Sequence, residues 1–397
     1  MADRGSNYPA PRPAASQGAS WRDRVGDGET AASNLAGANR HAPIPPPPAM
    51  ARGSQRSSHA SVSDAAARAQ TYAALDLGTN NCRLLIARPQ GEEFVIVDAY
   101  SRIVRLGEGL AASGRLSDAA MDRAIEALAV CADKLRRRHV TLSRAVATEA
   151  CRRASNGDAF LSRVRKETGI LLDVIGAEEE ARLAVMGCHQ LLKPGEGPAL
   201  IFDIGGGSTE LVLVDDAGDF PQVLTWRSVP WGVVTLTESE PHDSDDAAAR
   251  NAGYAAMRAR VREAMADFLA AAQSHGAPGK APRLLGTSGT VTTLASVHLG
   301  LRSYDRSRVD GLEIACDELR HICVDLAGMS LEERAQQACI GRERADLVVA
   351  GCAVLEEILA IWPAASLSIA DRGIREGVLR QLMHQPHARR AAPVSRR

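Results

Sequence analysis

IFDIGGGSTELVLVD, residues Ile201–Asp215, sets two apolar runs around three consecutive glycines, with an aspartate closing the first run and a glutamate opening the second. Runs of four to eight apolar residues bounded by turn residues read as buried strands, so the stretch predicts a hairpin turning through Gly205–Ser208. If Ile204 pairs with Thr209, then Asp203 faces Glu210 one step outward, and both side chains leave the same face of the sheet. Like charges so opposed repel unless a cation lies between them, and paired carboxylate oxygens suit magnesium. Gly205, Gly206 and Gly207 lack a Cβ and let backbone N–H groups approach an anion closely, as in a phosphate-binding nest. On this segment alone, a glycine-rich hairpin with solvated carboxylates is the competing account.

The layout occurs twice. AALDLGTNNCRLLIA (73–87) repeats the order of LIFDIGGGSTELVLV (200–214) at an offset of 127 residues. The same pairing count sets Asp76 opposite Arg83, so one hairpin presents a cation where the other presents a second carboxylate, and together they suit the two sides of a phosphate chain and its metal. Gly78, Thr79 and Asn80 fill the first turn. A third loop, GTSGT (286–290), brings Gly286, Ser288, Gly289 and Thr290 to a predicted helix start, where phosphate also binds. The hydroxyls of Thr79, Ser208 and Thr209 fit donors to phosphate oxygens, and equally fit turn residues capping their own backbone.

Between these loops strands alternate with helices, which makes the chain α/β. SDAAMDRAIEALAVCADKLRRR has helical spacing with Ser117 as N-cap, and a long helix is expected over about 247–272. At 397 residues, two domains fit. A formal net charge of −1 and few aromatics argue against nucleic acid or an anionic membrane as partner. No apolar run matches a membrane span or a signal peptide. The eight cysteines stand singly, without a C-x-x-C pair, which fits reduced core thiols in a cytoplasmic protein. Residues 1–70 are rich in Pro, Ala, Ser, Gly and Arg and are expected to be a disordered tail, with Met50 an alternative translation start. The basic end, 387–397, is expected to fray.

The motifs DLGTNNCRLLIA (76–87), ATEACRRASN (147–156), GAEEEARL (176–183), DIGGGSTEL (203–211), GTSGT and DRGIREGVL (371–379) resemble, in order, those of the exopolyphosphatase/guanosine pentaphosphate phosphohydrolase family, within the actin-like, ribonuclease-H-like superfamily. The resemblance covers roughly 72–384. It implies two actin-like lobes with mixed sheets flanked by helices and an interlobe cleft: lobe I over 71–175 with the returning segment 373–386, and lobe II over 176–372. The resemblance is to the short form of the family, so the long members' additional C-terminal helical domain is not expected here. The resemblance also assigns roles. Glu180 is expected to be the base that activates water, Arg152 to touch phosphate, and Asp203 with Glu210 to hold Mg²⁺. This sequence has Glu178 where the family usually shows asparagine, and a run of glutamates at a helix start also complements the helix dipole. Arg105 is expected to reach further along the substrate, Arg153 to be a surface residue, and Arg375 to tie the terminal helix. The implied activity is hydrolysis of the terminal phosphoanhydride of polyphosphate or guanosine pentaphosphate, in a monomer or a homodimer. A small-molecule kinase of the same superfamily and a non-catalytic guanosine polyphosphate sensor would share the loops.

Overall fold

The computed structural model describes residues 70–91, 93–218, 221–240, 242–279 and 281–384, all within one compact unit. The expectations for residues 1–69 and 385–397 lie outside the described residues. Two mixed sheets dominate. The first joins β1 (Tyr72–Leu77), β2 (Asn81–Gln90), β3 (Glu93–Ile103), β4 (Leu142–Ala147) and β5 (Leu172–Val174) in the order β3-β2-β1-β4-β5. The second joins β6 (Ala199–Ile204), β7 (Thr209–Asp215), β8 (Gln222–Val229), β9 (Arg283–Thr287), β10 (Glu313–Ala315) and β11 (Ser366–Ala370) in the order β10-β11-β9-β6-β7-β8. In each sheet a first strand carries an antiparallel meander on one side and parallel neighbours on the other, so the repeat seen in sequence is a repeat of topology.

The helices that matter for the site are α1 (Asp118–Arg137), α2 (Glu149–Arg153), α3 (Gly157–Thr168), α4 (Ala177–Cys188), α5 (Val233–Ser239), α6 (Ala247–Ser274), α7 (Gly289–His298), α8 (Cys316–Gly328), α9 (Val348–Ile361) and α10 (Ile374–His384). Ser117 caps α1 by accepting from Ala120 N. Among the described residues no helix is long and apolar enough to cross a membrane.

Strand periodicity explains where the site falls. Successive side chains point to opposite faces, and both faces of β1 are covered, so it reads as an unbroken apolar run. Ala73, Leu75 and Leu77 join the core under α1 and α3, whereas Tyr72 and Ala74 join the core that holds Val378, Leu379 and Leu382 of α10. Asp76 continues the second set, and so does Arg83 beyond Ala87 and Leu85. In the second sheet Ala199 and Ile201, with Val212 and Val214, meet Ala181, Val185 and Cys188 of α4. Asp203 and Glu210 continue that set. The inner faces of the two sheets are therefore separated by α4 and α10, and all four polar residues emerge where that packing stops.

Helices α4 and α10 cross at very short range. A Cβ on Gly187 would lie 2.0 Å from Gly373 O, and one on Gly377 would lie 2.0 Å from Leu183 O. Only glycine fits there, since the obstacle is backbone and cannot rotate away. Leu183 of α4 belongs to the core of the first sheet while Ala181 and Val185 belong to that of the second, so this helix is the seam that holds the sheets together.

Candidate active site

The cleft at the strand ends gathers residues from both sheets and encloses about 970 Å³ of space, part of it open to solvent. Its polar lining includes Asp76, Gly78, Thr79, Asn80 and Arg83 from the first hairpin, Gly205, Gly206, Gly207 and Ser208 with Asp203 and Glu210 from the second, Ser288, Gly289 and Thr290 from the start of α7, and Glu180 from α4. The hairpin registers are those expected: Asp76 faces Arg83, and Asp203 faces Glu210. The two turns touch. A Cβ on Gly206 would fall 2.9 Å from Thr79 Cβ and 3.0 Å from Asn80 N, so the glycines serve first to let one loop approach the other. Ser288 caps α7 by accepting from Thr290 N and Val291 N, and Ser288, Gly289 and Thr290 bring that helix start to the cleft lining.

Glu180 is 8% exposed and accepts from Arg152 Nη1 at 2.7 Å; the same nitrogen donates to Ile175 O at 2.8 Å. Burial, then the charge of Glu210, push the Glu180 carboxyl up to about 8 against the opposing pull of Arg152. Burial and Glu180 raise Asp203 to about 7, and burial and Asp203 raise Glu210 to about 7, although Ser208 and Ser228 both donate to Glu210 Oε1. Burial also raises Asp76, opposed by Arg83 and Arg375, and burial lowers Arg83. Buried carboxylates whose charges disfavour one another are a common mark of a functional site.

Not every expected residue reaches the cleft. Thr209 is fully buried and donates to Trp231 O at 2.8 Å, so its hydroxyl braces the loop between β8 and α5. Gly286 lies inside β9, where a Cβ would fall 2.5 Å from the Phe202 ring; it makes room for that ring and lies away from the cleft lining. Arg152 is engaged with Glu180 and Ile175 behind the lining. Arg105 spans the two sheets' loops, donating to both carboxylate oxygens of Asp346, at 2.8 and 3.1 Å, and to Glu343 O. Arg375, expected only to tie the terminal helix, lines a recess behind the cleft with Asp76, Arg83 and Asp203. Arg153 is at the surface, paired with Glu149. Sequence reasoning missed Glu149 and Arg344. Glu149 lies inside the quoted ATEACRRASN and is 6% exposed on the cleft lining; Arg344, whose Nη1 donates to Thr293 Oγ1, precedes the buried helix α9.

The cleft fits a hard cation by its donor chemistry. Five carboxylates, Asp76, Glu149, Glu180, Asp203 and Glu210, line it against two guanidinium groups, Arg83 and Arg344. Asp76 Oδ1 and Asn80 Oδ1 are buried acceptors without a partner. Among the described residues no three His, Cys, Asp or Glu side chains are clustered as a ready metal cage. Magnesium usually binds through one or two carboxylates, water and substrate phosphate, a donor set the lining carboxylates could supply.

The Ppx/GppA phosphatase family model matches residues 85–386. The chain belongs to that family. Exopolyphosphatase 2 of Mycobacterium tuberculosis is 34% identical over 296 residues, covering 72% of this chain and 89% of its own. The guanosine-5'-triphosphate,3'-diphosphate pyrophosphatase of Aeromonas salmonicida is 29% identical over 323 residues, and the match spans 80% of this chain but 60% of that protein. The structure of the Aquifex aeolicus PPX-GPPA enzyme superposes with a TM-score of 0.64 at 30% identity, covering 79% of this chain and 99% of its own. The two-sheet α/β architecture is thus that of the Ppx/GppA family.

Proposed function

We propose that the protein is an exopolyphosphatase, hydrolysing the terminal phosphoanhydride of inorganic polyphosphate and releasing orthophosphate. The observation that carries this reading is the convergence on one cleft of two glycine-turn hairpins, a helix start and the buried Glu180. The loop amides and Arg83 bind the terminal phosphate, and Glu180 orients a water for in-line attack. The water oxygen bonds to the terminal phosphorus, the bridging P–O bond breaks toward the remaining chain, and the water proton goes to Glu180. Arg152 holds the Glu180 carboxyl in place through its charge-assisted hydrogen bond.

Asp203 and Glu210, with Asp76 at the edge, would hold magnesium, which supplies charge neutralisation between the carboxylates and the phosphate chain. In the ligand-free protein, burial and Glu210 keep Glu180 protonated near neutral pH. Relief of that repulsion would lower the Glu180 value and favour the ionised form that can take a proton. The eight free cysteines support a reducing, cytoplasmic setting.

The substrate is argued from the lining. None of its described residues is aromatic, so a nucleobase finds no stacking surface there, whereas repeated phosphates need only cations and amides. The relative that acts on a guanosine nucleotide makes guanosine pentaphosphate the alternative. The test is kcat/KM for short polyphosphate, long polyphosphate and guanosine pentaphosphate at one fixed magnesium and salt concentration. Preference for either polyphosphate is expected. A nucleotide preference of about tenfold or more, roughly 1.4 kcal/mol in transition-state binding, would reverse the choice of substrate.

A further inference from the structure

Glu149 and Glu210 each accept from a phosphate-loop hydroxyl, that of Thr79 and of Ser208 respectively, and Glu149 differs in that a surface arginine, Arg153, holds its other oxygen. Glu149 Oε2 accepts the hydroxyl proton of Thr79 at 3.1 Å, and its Oε1 accepts from Arg153 Nη1 at 2.8 Å. Thr79 belongs to the turn of the first hairpin. On the opposite side, a Cβ built on Gly207 would fall 1.6 Å from Oε2, which packs the carboxylate directly against the glycine loop of the second hairpin. An anion of the protein's own therefore fills the junction of the two loops, on a hydroxyl a phosphate oxygen would otherwise use. Its other oxygen is held from the surface side by Arg153, whose side chain is 46% exposed.

We infer that Glu149 is a competing anion built into the phosphate cradle: it occupies the junction of the loops when no phosphate is bound, withdraws toward Arg153 when phosphate enters, and returns to displace the orthophosphate product. The inference rests on the proposed phosphate-binding role of the cleft and adds a residue that weakens ground-state binding there. Two like charges in one buried space repel strongly, so the presence of Glu149 costs affinity for any phosphate that seats between the turns. The cost falls on substrate and product alike. It therefore moves KM and product inhibition together, and it keeps the released orthophosphate from lingering.

The test is calorimetric binding of inorganic phosphate to the full chain, with and without magnesium, which needs no turnover. Glu149→Gln keeps the shape and the acceptor for Thr79 but removes the charge. It should tighten phosphate binding by about tenfold or more and lower KM for polyphosphate in parallel, with kcat unchanged or lower. Arg153→Gln removes the outward partner and should weaken phosphate binding. Should Glu149→Gln not fold, Glu149→Asp draws the charge back from Thr79 by one methylene and carries the same expectation at smaller size. Equal or weaker phosphate binding by Glu149→Gln overturns the inference, and weakening seen only with magnesium would make Glu149 a cation ligand. If neither wild type nor variant bound phosphate, the phosphate-site reading would fall and this inference with it.

Discussion

The two hairpins that meet in the cleft share a backbone plan and differ in one cross-strand partner. In the first, Asp76 faces Arg83; in the second, Asp203 faces Glu210. Both pairs continue strand faces that pack on the seam helices α4 and α10, and Glu210 is the most deeply buried of the four. Their electrostatics nevertheless diverge. Arg83 opposes the rise that burial imposes on Asp76, whereas burial and Asp203 raise Glu210, and burial and Glu180 raise Asp203. Topology decides where the side chains stand, and the identity of a single partner decides the sign of the charge presented. A duplicated scaffold can thus grip the two ends of an ionic complex, anion on one side and cation on the other.

The largest expected effect tests what the doubly acidic side is for. Glu180→Gln should lower kcat by roughly 10²- to 10⁴-fold, the usual scale for a general base, with little change in substrate binding. Glu179→Gln is the control, because Glu179 pairs with Arg144 at 2.8 Å away from the cleft. Equal losses in the two variants, measured as steady-state phosphate release, would remove Glu180 from that role.

Next in size is the cationic side. Among the described residues Arg83 is the one arginine that a strand sends into the cleft lining, and in Arg83→Gln KM for polyphosphate should rise by about 10- to 100-fold, the scale of losing a charge-assisted contact. Glu210→Gln should instead raise the magnesium concentration needed for half-maximal activity. If both variants changed the same parameter, the division of labour between the hairpins would be wrong.

Much of this contrast could be read from the chain. The pairing of Asp203 with Glu210 follows from counting outward from the glycines, the N-cap Ser117 was marked by residue type, and GTSGT was read as a loop opening a helix. What could not be read depends on contacts between segments far apart. The bond from Arg105 to Asp346 spans 241 residues, and the crossing of α4 over α10 at Gly187 and Gly377 has no local signature. Helix α9 is buried on nearly all sides, so no amphipathic period marks which face looks at the cleft, and Arg344 just before it went unnoticed. Glu149 was overlooked for another reason: the motif that contains it drew attention to its arginine, while a carboxylate beside a phosphate loop contradicts the expected charge.

A smaller effect concerns pH. Glu180, Asp203 and Glu210 are acids whose folded values are raised to about 8, 7 and 7, above the ordinary carboxylate range they have when unfolded. In the ligand-free protein the folded state then binds more protons than the unfolded one between roughly pH 4 and 8. Stability from these groups is complete below that window and is lost as pH rises through it. The melting temperature should fall by several degrees from pH 5 to pH 8, and by less in Glu180→Gln. Magnesium should raise it more at pH 8 than at pH 5. A metal effect independent of pH would mean that the cation binds away from these carboxylates.

The smallest effect separates a strut from a substrate contact. Arg105 was expected to reach along the phosphate chain, yet its guanidinium is committed to Asp346 and Glu343 O, joining the loop after β3 to the loop before α9. Both side chains are about a third exposed or less, so water still screens the pair, and its worth is on the order of 1 kcal/mol. Arg105→Ala and Asp346→Ala should then produce similar few-fold changes in KM, and the double variant should be little worse than either alone, because the second substitution removes an interaction already lost. A substrate contact predicts a different pattern. Arg105→Ala would raise KM well beyond Asp346→Ala, the rise would grow with polyphosphate chain length, and freeing Arg105 from its partner in Asp346→Ala would lower KM.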